Sequence, residues 1–183
     1  MLNEINTKIL LWINSHYNPV MDFIMFWASD RFIWIPFYVL LLVLFAKVYR
    51  QKIWMVLISV TLLIFLCDQT ANLAKDYFQL LRPCHEPSLV NALHIVNGYC
   101  GGAYGYVSSH AANSAGLTVF TLMLLGKNFQ WLKFIMITYT LLLCYSRIYL
   151  AAHYPLDIIR GVLTGIVFGL LVARFFKVAI SRF

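Results

Sequence analysis

The chain has 183 residues, of which 62% are hydrophobic and 11% are charged, and its mean hydropathy is +0.77. Because a soluble domain carries about 25% charged residues, this composition excludes an ordinary water-soluble protein and favours one integral membrane domain over residues 1–183, with the lipid bilayer as its partner. The net charge of +7 does not indicate a nucleic-acid partner, because the basic residues form short groups that alternate with apolar segments, as in membrane proteins.

The first part of the chain, residues 1–30, contains no uninterrupted apolar segment. Two apolar stretches, Ile9–Ile13 and Val20–Ala28, are separated by a polar segment that ends at Pro19. Either two short helices lying at the membrane surface or one broken transmembrane helix would produce this pattern. We favour the two surface helices.

Five later segments are predicted to be transmembrane helices, because they are apolar and approach the ~20 residues that a membrane span needs. Basic residues follow the first, third and fifth segments, so the positive-inside rule places the loop of residues 76–107 on the non-cytoplasmic side. The predicted fold class is therefore all-α, a polytopic membrane helix bundle with about five transmembrane helices. The segments are Phe32–Ala46, Ile53–Ala74, Ser109–Leu125, Trp131–Leu150 and approximately Pro155–Phe176. In the last of them, Gly161, Gly165 and Gly169 recur at every fourth position and predict close helix packing.

The loop of residues 76–107 is unusually long, and such loops in compact domains usually have a function. Cys84 and Cys100 lie in this loop, where the compartment would be oxidising, so they could form a disulfide or remain two free thiols. His85, Glu86 and His94 resemble metal ligands in type, but we favour a solvated role for them in a segment so rich in turns.

Two clusters of polar residues flank this loop. Lys75 and Arg82 are seven residues apart, so on one helix ended by Pro83 they would share a face, about 10 Å apart along the axis. They could be snorkelling charges, but the polar helix end that precedes them favours an anion site. After the loop, Ser108 and Ser109 precede His110 at the start of an apolar helix. Alone, this second cluster is explained by an ordinary helix cap, although free N–H groups at a helix start also bind anions.

A third cluster lies between the last two predicted spans. If Pro155 is the first helical residue, Asp157 occupies the third position and can fold back over the start of the helix. His153 would then be within reach of Asp157, and a carboxylate on one ring nitrogen makes the other nitrogen a better nucleophile. One turn further, Arg160 would either pair with Asp68 inside the bundle or contact a second phosphate.

Taken together, the three clusters read Lys-x6-Arg-Pro, Ser-x-His and Ser-Arg-x5-His-x3-Asp, in this order within residues 75–157. This pattern resembles the type 2 phosphatidic acid phosphatase superfamily of membrane lipid phosphatases. The second motif of that family usually reads Pro-Ser-Gly-His. Here Ser108 matches its serine, whereas Val107 and Ser109 replace its proline and glycine.

The resemblance implies a role for each motif residue. His153, oriented by Asp157, would attack phosphorus and form a phosphohistidine, and His110 would protonate the leaving oxygen and then activate water. Cationic side chains would supply the positive charge, so no metal and no cofactor are expected. The phosphate-binding residues would be Lys75, Arg82, Ser108, Ser109 and Arg147.

We therefore predict an enzyme that hydrolyses a lipid phosphate or diphosphate at the outer leaflet of a bacterial inner membrane, with its active site facing the periplasm or exterior. Among substrates we favour a polyprenyl (undecaprenyl) diphosphate, with phosphatidylglycerophosphate and lipid A phosphates as alternatives. A lipid phosphotransferase would share the phosphohistidine step. A transporter would need charges distributed through the spans, and Asp68 is the one ionisable residue clearly inside a predicted span. The oligomeric state is not predicted by the sequence.

Overall fold

A computed structural model describes residues 2–182 of the protein, with side chains from residue 4 onward. These residues form seven α-helices and no β-strand, which confirms the all-helical fold class. Two stretches of them are long and apolar enough to cross a membrane: Pro155–Ile180, and Ile35–Phe78, which combines two consecutive helices. The total of five transmembrane helices stays a prediction. The helices are α1 (Leu2–Ser15), α2 (Pro19–Ser29), α3 (Ile35–Tyr49), α4 (Ile53–Phe78), α5 (Ser109–Leu125), α6 (Leu132–Tyr149) and α7 (Pro155–Ile180).

The break predicted in the N-terminal region separates α1 from α2. Asn18 stops one helix and starts the next, because its extended backbone and its side-chain oxygen cap the N–H groups of Val20 and Met21. Pro19 follows as the first helical residue. The N–H that proline lacks would have no partner within the helix at this position, so no hydrogen bond is lost. Both short helices pack against α6. Whether they lie at the membrane surface or cross it stays a prediction.

The glycine stripe of α7 lies against α5, as its spacing predicts. A Cβ atom added at Gly161 would lie 2.6 Å from the Ser108 carbonyl oxygen, and one at Gly169 would lie 2.7 Å from the Gly116 carbonyl oxygen. A Cβ atom at Gly165 would overlap the Ala112 carbonyl. Because only glycine permits this approach, the two helix backbones touch along their length. This contact brings the start of α5 beside the start of α7.

The predicted helix that would carry both Lys75 and Arg82 is not present. α4 ends at Phe78, since Gln79 takes a left-handed conformation (φ 48°, ψ 34°) and its N–H caps the Lys75 carbonyl. The chain then becomes extended, and the Arg82 N–H donates to the Ala103 carbonyl at 2.9 Å. Lys75 therefore lies on α4, whereas Arg82 lies in the loop that follows. The helix does not continue to Arg82 because the Arg82 N–H bonds to Ala103, at the far end of the loop, and not to the preceding helical turn.

The N-terminal helices hold the middle of this loop. The Asn14 side chain donates to the His94 carbonyl at 2.9 Å and accepts from the His94 N–H at 2.8 Å. The His94 ring stacks on Tyr17, and its Nε2 lies 2.9 Å from an Asp22 oxygen. The solvated role expected for His94 is therefore wrong, since this side chain joins the loop to α2.

Cys84 and Cys100 form a disulfide in the same loop, with their Cα atoms 6.0 Å apart. The bond crosses 16 residues and fixes the segment that contains Gly98 and Tyr99. Of the two alternatives that the sequence left open, the structure thus has the disulfide.

Replacing both cysteines by serine should lower the free energy of unfolding by about 3 kcal/mol, because the cross-link restricts the unfolded chain. Denaturant unfolding in detergent micelles would measure this change, with the reduced parent protein as the matched comparison. An unfolding free energy equal to that of the oxidised parent would contradict the prediction.

Candidate active site

The three sequence clusters meet at one end of the bundle through contacts of the backbone. The Ser108 N–H donates to the Asp157 carbonyl at 3.2 Å, which joins the second cluster to the third. The Cys84 N–H donates to the Ala151 carbonyl at 3.2 Å, which joins the loop after Arg82 to the same turn. Through these long-range contacts, residues separated by up to 82 positions in the chain, from Lys75 to Asp157, form one site.

His153 lies at the centre of the site and is almost fully buried, with 1% of its surface exposed. Its Nδ1 is 2.8 Å from the Gly105 carbonyl oxygen. Since a carbonyl can only accept, Nδ1 carries the proton and the lone pair is on Nε2. The nearest Asp157 oxygen is 3.9 Å from Nδ1, too far for a hydrogen bond. The predicted orientation of His153 by Asp157 is therefore wrong as a direct contact, and Gly105 has that role.

Burial lowers the pKa of His153 well below 6.5, and the neighbouring charges of Arg82 and Arg147 lower it further. His153 is therefore neutral at pH 7. A neutral ring with its lone pair on Nε2 can act as a nucleophile.

Asp157 caps the start of α7, as its position predicts. Its Oδ2 accepts from the Tyr154 N–H at 3.1 Å, within a reciprocal capping box. Arg160, one turn on, lies 4.0 Å from the other carboxylate oxygen and 4.8 Å above the Tyr106 ring. Asp68 instead accepts from the Asn113 amide at 2.9 Å, so the predicted Arg160–Asp68 pair is wrong. Contact of Arg160 with a second phosphate stays a prediction.

Arg147 is the largest polar side chain buried in the described part of the protein, with 1% of its surface exposed. Its Nη1 donates to the Tyr99 hydroxyl at 2.8 Å and to the Ser29 hydroxyl, and its guanidinium lies 5.3 Å from the centre of the Tyr99 ring. Its Nε has no partner among the described residues. Sequence reasoning missed Ser29 and Tyr99, since neither belongs to a motif.

Two more cations complete the polar side of the site. Lys75 donates to the Ser109 hydroxyl at 2.8 Å, which gives the serine in place of the family's glycine a defined partner. Arg82 donates to the carbonyls of Tyr104, at 3.1 Å, and Ala152, at 3.5 Å. The Ala152 contact holds the Arg82 side chain beside the turn that carries His153, and the Ser109 contact holds the Lys75 side chain at the start of α5. Several cations held close together repel one another, so this arrangement favours an anionic ligand.

Ser108 and His110 occupy the start of α5. The Ser108 hydroxyl is fully buried and accepts from the Ala111 N–H at 3.4 Å, so the ordinary cap suggested by the sequence is present. Its contact with phosphate stays a prediction. His110 follows on the first turn and is half-buried.

One group of potential metal ligands comes together in the described part of the chain: Cys84, His85 and Cys100. Its two sulfur atoms are bonded to each other, so neither is a thiolate that could bind a metal ion. The residues that surround His153 are instead cations and hydroxyls, which suit an anionic substrate.

Comparison with known proteins gives a consistent result. The profile of the PAP2 superfamily matches residues 52–181. The chain is 33% identical to a lipid A 4'-phosphatase of Bacteroides thetaiotaomicron, over 90% of this chain and 73% of that protein. It is 30% identical to a lipid A 4'-phosphatase of Porphyromonas gingivalis, over 98% and 76%. It is 28% identical to an undecaprenyl-diphosphatase of Sulfolobus acidocaldarius, over 87% and 73%.

Two solved structures share the fold. The crystal structure of Aquifex aeolicus LpxE superposes with a TM-score of 0.70 and 22% identity, over 93% of this chain and 95% of that one. A transmembrane PAP2 type phosphatidylglycerolphosphate phosphatase from Bacillus subtilis superposes with a TM-score of 0.73 and 17% identity, over 96% and 86%. At these identities the likeness concerns the fold alone.

Proposed function

The chain belongs to the PAP2 superfamily, as its three motifs predicted, and we propose that this lipid phosphatase removes the 4'-phosphate of lipid A. Two relatives that are at least 30% identical are lipid A 4'-phosphatases, which supports this substrate. The polyprenyl diphosphate favoured by the sequence is not confirmed, since the undecaprenyl-diphosphatase relative matches less strongly. The lipid A alternative fits better.

The proposed reaction is supported above all by the orientation and the protonation of the His153 ring. With Nδ1 held by the Gly105 carbonyl and the ring neutral, Nε2 attacks phosphorus, and a P–N bond forms as the P–O bond to the lipid breaks. His110 gives a proton to the departing lipid oxygen. It then takes a proton from the water that attacks phosphohistidine, so that inorganic phosphate is released and His153 is restored.

The cations lower the energy of this step. A phosphoryl group in transfer carries negative charge on its equatorial oxygens, and catalysis depends on fixed positive groups that contact them. Lys75, Arg82 and Arg147 are each tied to a neighbouring oxygen atom, so they need little rearrangement when the substrate arrives. Arg147 in particular is held rigidly by two hydroxyl groups.

The position of the site supports an outward orientation in a bacterial inner membrane. All motif residues lie at the end of the bundle opposite the basic turn Arg50–Lys52. The disulfide in the adjoining loop fits an oxidising compartment such as the periplasm. At this level the phosphorylated head can reach the site while the acyl chains stay in the bilayer.

Phosphate release from three lipids tests the proposal. Purified protein in detergent with a chelator would receive lipid A, undecaprenyl diphosphate and phosphatidylglycerophosphate in parallel. We expect lipid A to give the highest kcat/KM, and lipid A that already lacks its 4'-phosphate to give little release. A higher kcat/KM for undecaprenyl diphosphate would contradict the proposed substrate. Transfer of phosphate to another lipid, with none free in solution, would contradict hydrolysis.

A further inference from the structure

The disulfide between Cys84 and Cys100 joins two parts of the active site that are far apart in the chain. Cys84 is buried, and its N–H donates to the Ala151 carbonyl at 3.2 Å, in the turn that carries the nucleophile. Cys100 directly follows Tyr99, whose hydroxyl accepts from Arg147 Nη1 at 2.8 Å. The S–S bond therefore connects the nucleophile's turn to a partner of the buried arginine.

The backbone on both sides of Tyr99 and Cys100 restricts their position only weakly. Gly98 precedes them with a left-handed conformation (φ 67°), and Gly101 and Gly102 follow them. Glycine has more backbone freedom than any other residue, so these neighbours do little to fix the direction of the Tyr99 side chain. The covalent bond to Cys84 supplies a restraint that the local sequence does not.

The orientation of Arg147 depends on Tyr99 in two ways. The tyrosine hydroxyl accepts a hydrogen bond from Nη1, and the tyrosine ring lies 5.3 Å from the centre of the guanidinium group. Without Tyr99, Nη1 would keep the Ser29 hydroxyl, but the aromatic contact that restricts the guanidinium group would be lost. A phosphate-binding arginine that is less well oriented stabilises the transition state less.

We propose that the disulfide between Cys84 and Cys100 is a positioning group of the active site, which holds Tyr99 against Arg147 so that full activity requires the oxidised enzyme. The inference rests on the proposed function, because it assigns Arg147 to phosphate. When a dithiol reduces the protein, the S–S bond breaks, each cysteine gains one electron and one proton, and the dithiol becomes a disulfide. Tyr99 then keeps its edge-on contact with the Phe26 ring, at 6.1 Å between centres, but loses its connection to the nucleophile's turn.

A disulfide that only stabilised the fold would have a different consequence. Loss of such a cross-link raises the fraction of unfolded protein, which lowers activity by the same factor whichever residue occupies position 99. A positioning role acts through Tyr99, so the loss of activity depends on that residue. A double-mutant cycle between the disulfide and Tyr99 therefore separates the two roles.

Reduction of the parent enzyme and of Tyr99→Ala provides this cycle. Dithiothreitol should lower kcat of the parent by roughly threefold to tenfold, the factor expected for loss of one hydroxyl partner of Arg147. In Tyr99→Ala, which has neither the hydroxyl nor the ring, reduction should change kcat by less than about twofold. Reoxidation should restore the parental kcat. Equal factors in the two proteins, or no change in the parent, would overturn the positioning role.

The double variant Cys84→Ser/Cys100→Ser is the matched control, since it lacks the bond. It should have the kcat of the reduced parent, and a response of this variant to dithiothreitol would overturn the inference. If the variant does not fold, reversible reduction of the parent still decides the matter. Intact mass after alkylation would then count four thiols in the reduced protein and two in the oxidised one.

Two substrates distinguish this inference from the proposed function. Kinetics would be measured with lipid A and with an activated phosphate ester that has no acyl chain. If the oxidised parent hydrolyses the ester with the expected redox dependence but releases no phosphate from lipid A, the proposed substrate is wrong and the positioning role stands. No release from either substrate by the oxidised parent would overturn both.

Discussion

Replacing His153 by alanine is expected to lower phosphate release by about 10⁴-fold, because removal of a nucleophile leaves only the binding groups of the site. His153 is almost fully buried and neutral, and the Gly105 carbonyl holds its Nδ1 proton, so the Nε2 lone pair is available for attack. Single-turnover release of phosphate from lipid A would measure the effect. Unaltered elution of the variant in size-exclusion chromatography would show that it is folded.

The variant His110→Ala distinguishes the role of the nucleophile, His153, from the role of His110 in proton transfer. In His110→Ala the phosphohistidine should form from an activated phosphate ester and then accumulate, because no group activates water for its release. Intact-mass analysis would detect one added phosphoryl group. If the His153→Ala variant were phosphorylated to the same extent as His110→Ala, the assignment of the nucleophile would be wrong.

The substitution Arg147→Lys should lower kcat by about 100-fold or more, although it conserves the charge. Nη1 of Arg147 donates to both Ser29 and Tyr99, which leaves the other guanidinium nitrogens to present donors to a substrate. A lysine has one nitrogen, so donors that it gives to Ser29 and Tyr99 leave no second, coplanar nitrogen for the phosphate. Steady-state kinetics with lipid A would measure kcat and KM separately, with Arg174→Lys at an exposed position of α7 as the matched control.

Removing the two hydroxyl partners of Arg147 one at a time tests whether their hydrogen bonds position its guanidinium. Ser29→Ala and Tyr99→Phe each remove one hydrogen bond, so each should lower kcat by a smaller factor, roughly threefold to tenfold. Ser29 belongs to α2, outside the part of the chain that matches the family profile. An Arg147→Lys enzyme with parental kcat would show that only the charge of this residue is required.

The sequence by itself determined the class of the protein and indicated most of the candidate residues of its active site. An apolar chain with few charges makes each charge conspicuous, so Lys75, Arg82, Arg147 and the two histidines could be found without a structure. The spacing of Gly161, Gly165 and Gly169 predicted the close contact of α7 with another helix, because small residues at every fourth position have few other uses. The spacing between motifs identified the family.

The tertiary structure alone decided which partners these side chains have. The Gly105 carbonyl that orients His153 is a backbone group, and every residue has one, so no residue type marks it in the sequence. Ser29 and Tyr99 reach Arg147 from positions 118 and 48 residues away, where no local pattern connects them. The left-handed conformation of Gln79, which separates Lys75 from Arg82, depends on pairing within the loop that follows. Sequence periodicity reports local backbone geometry and burial, whereas these contacts form only when distant segments pack together.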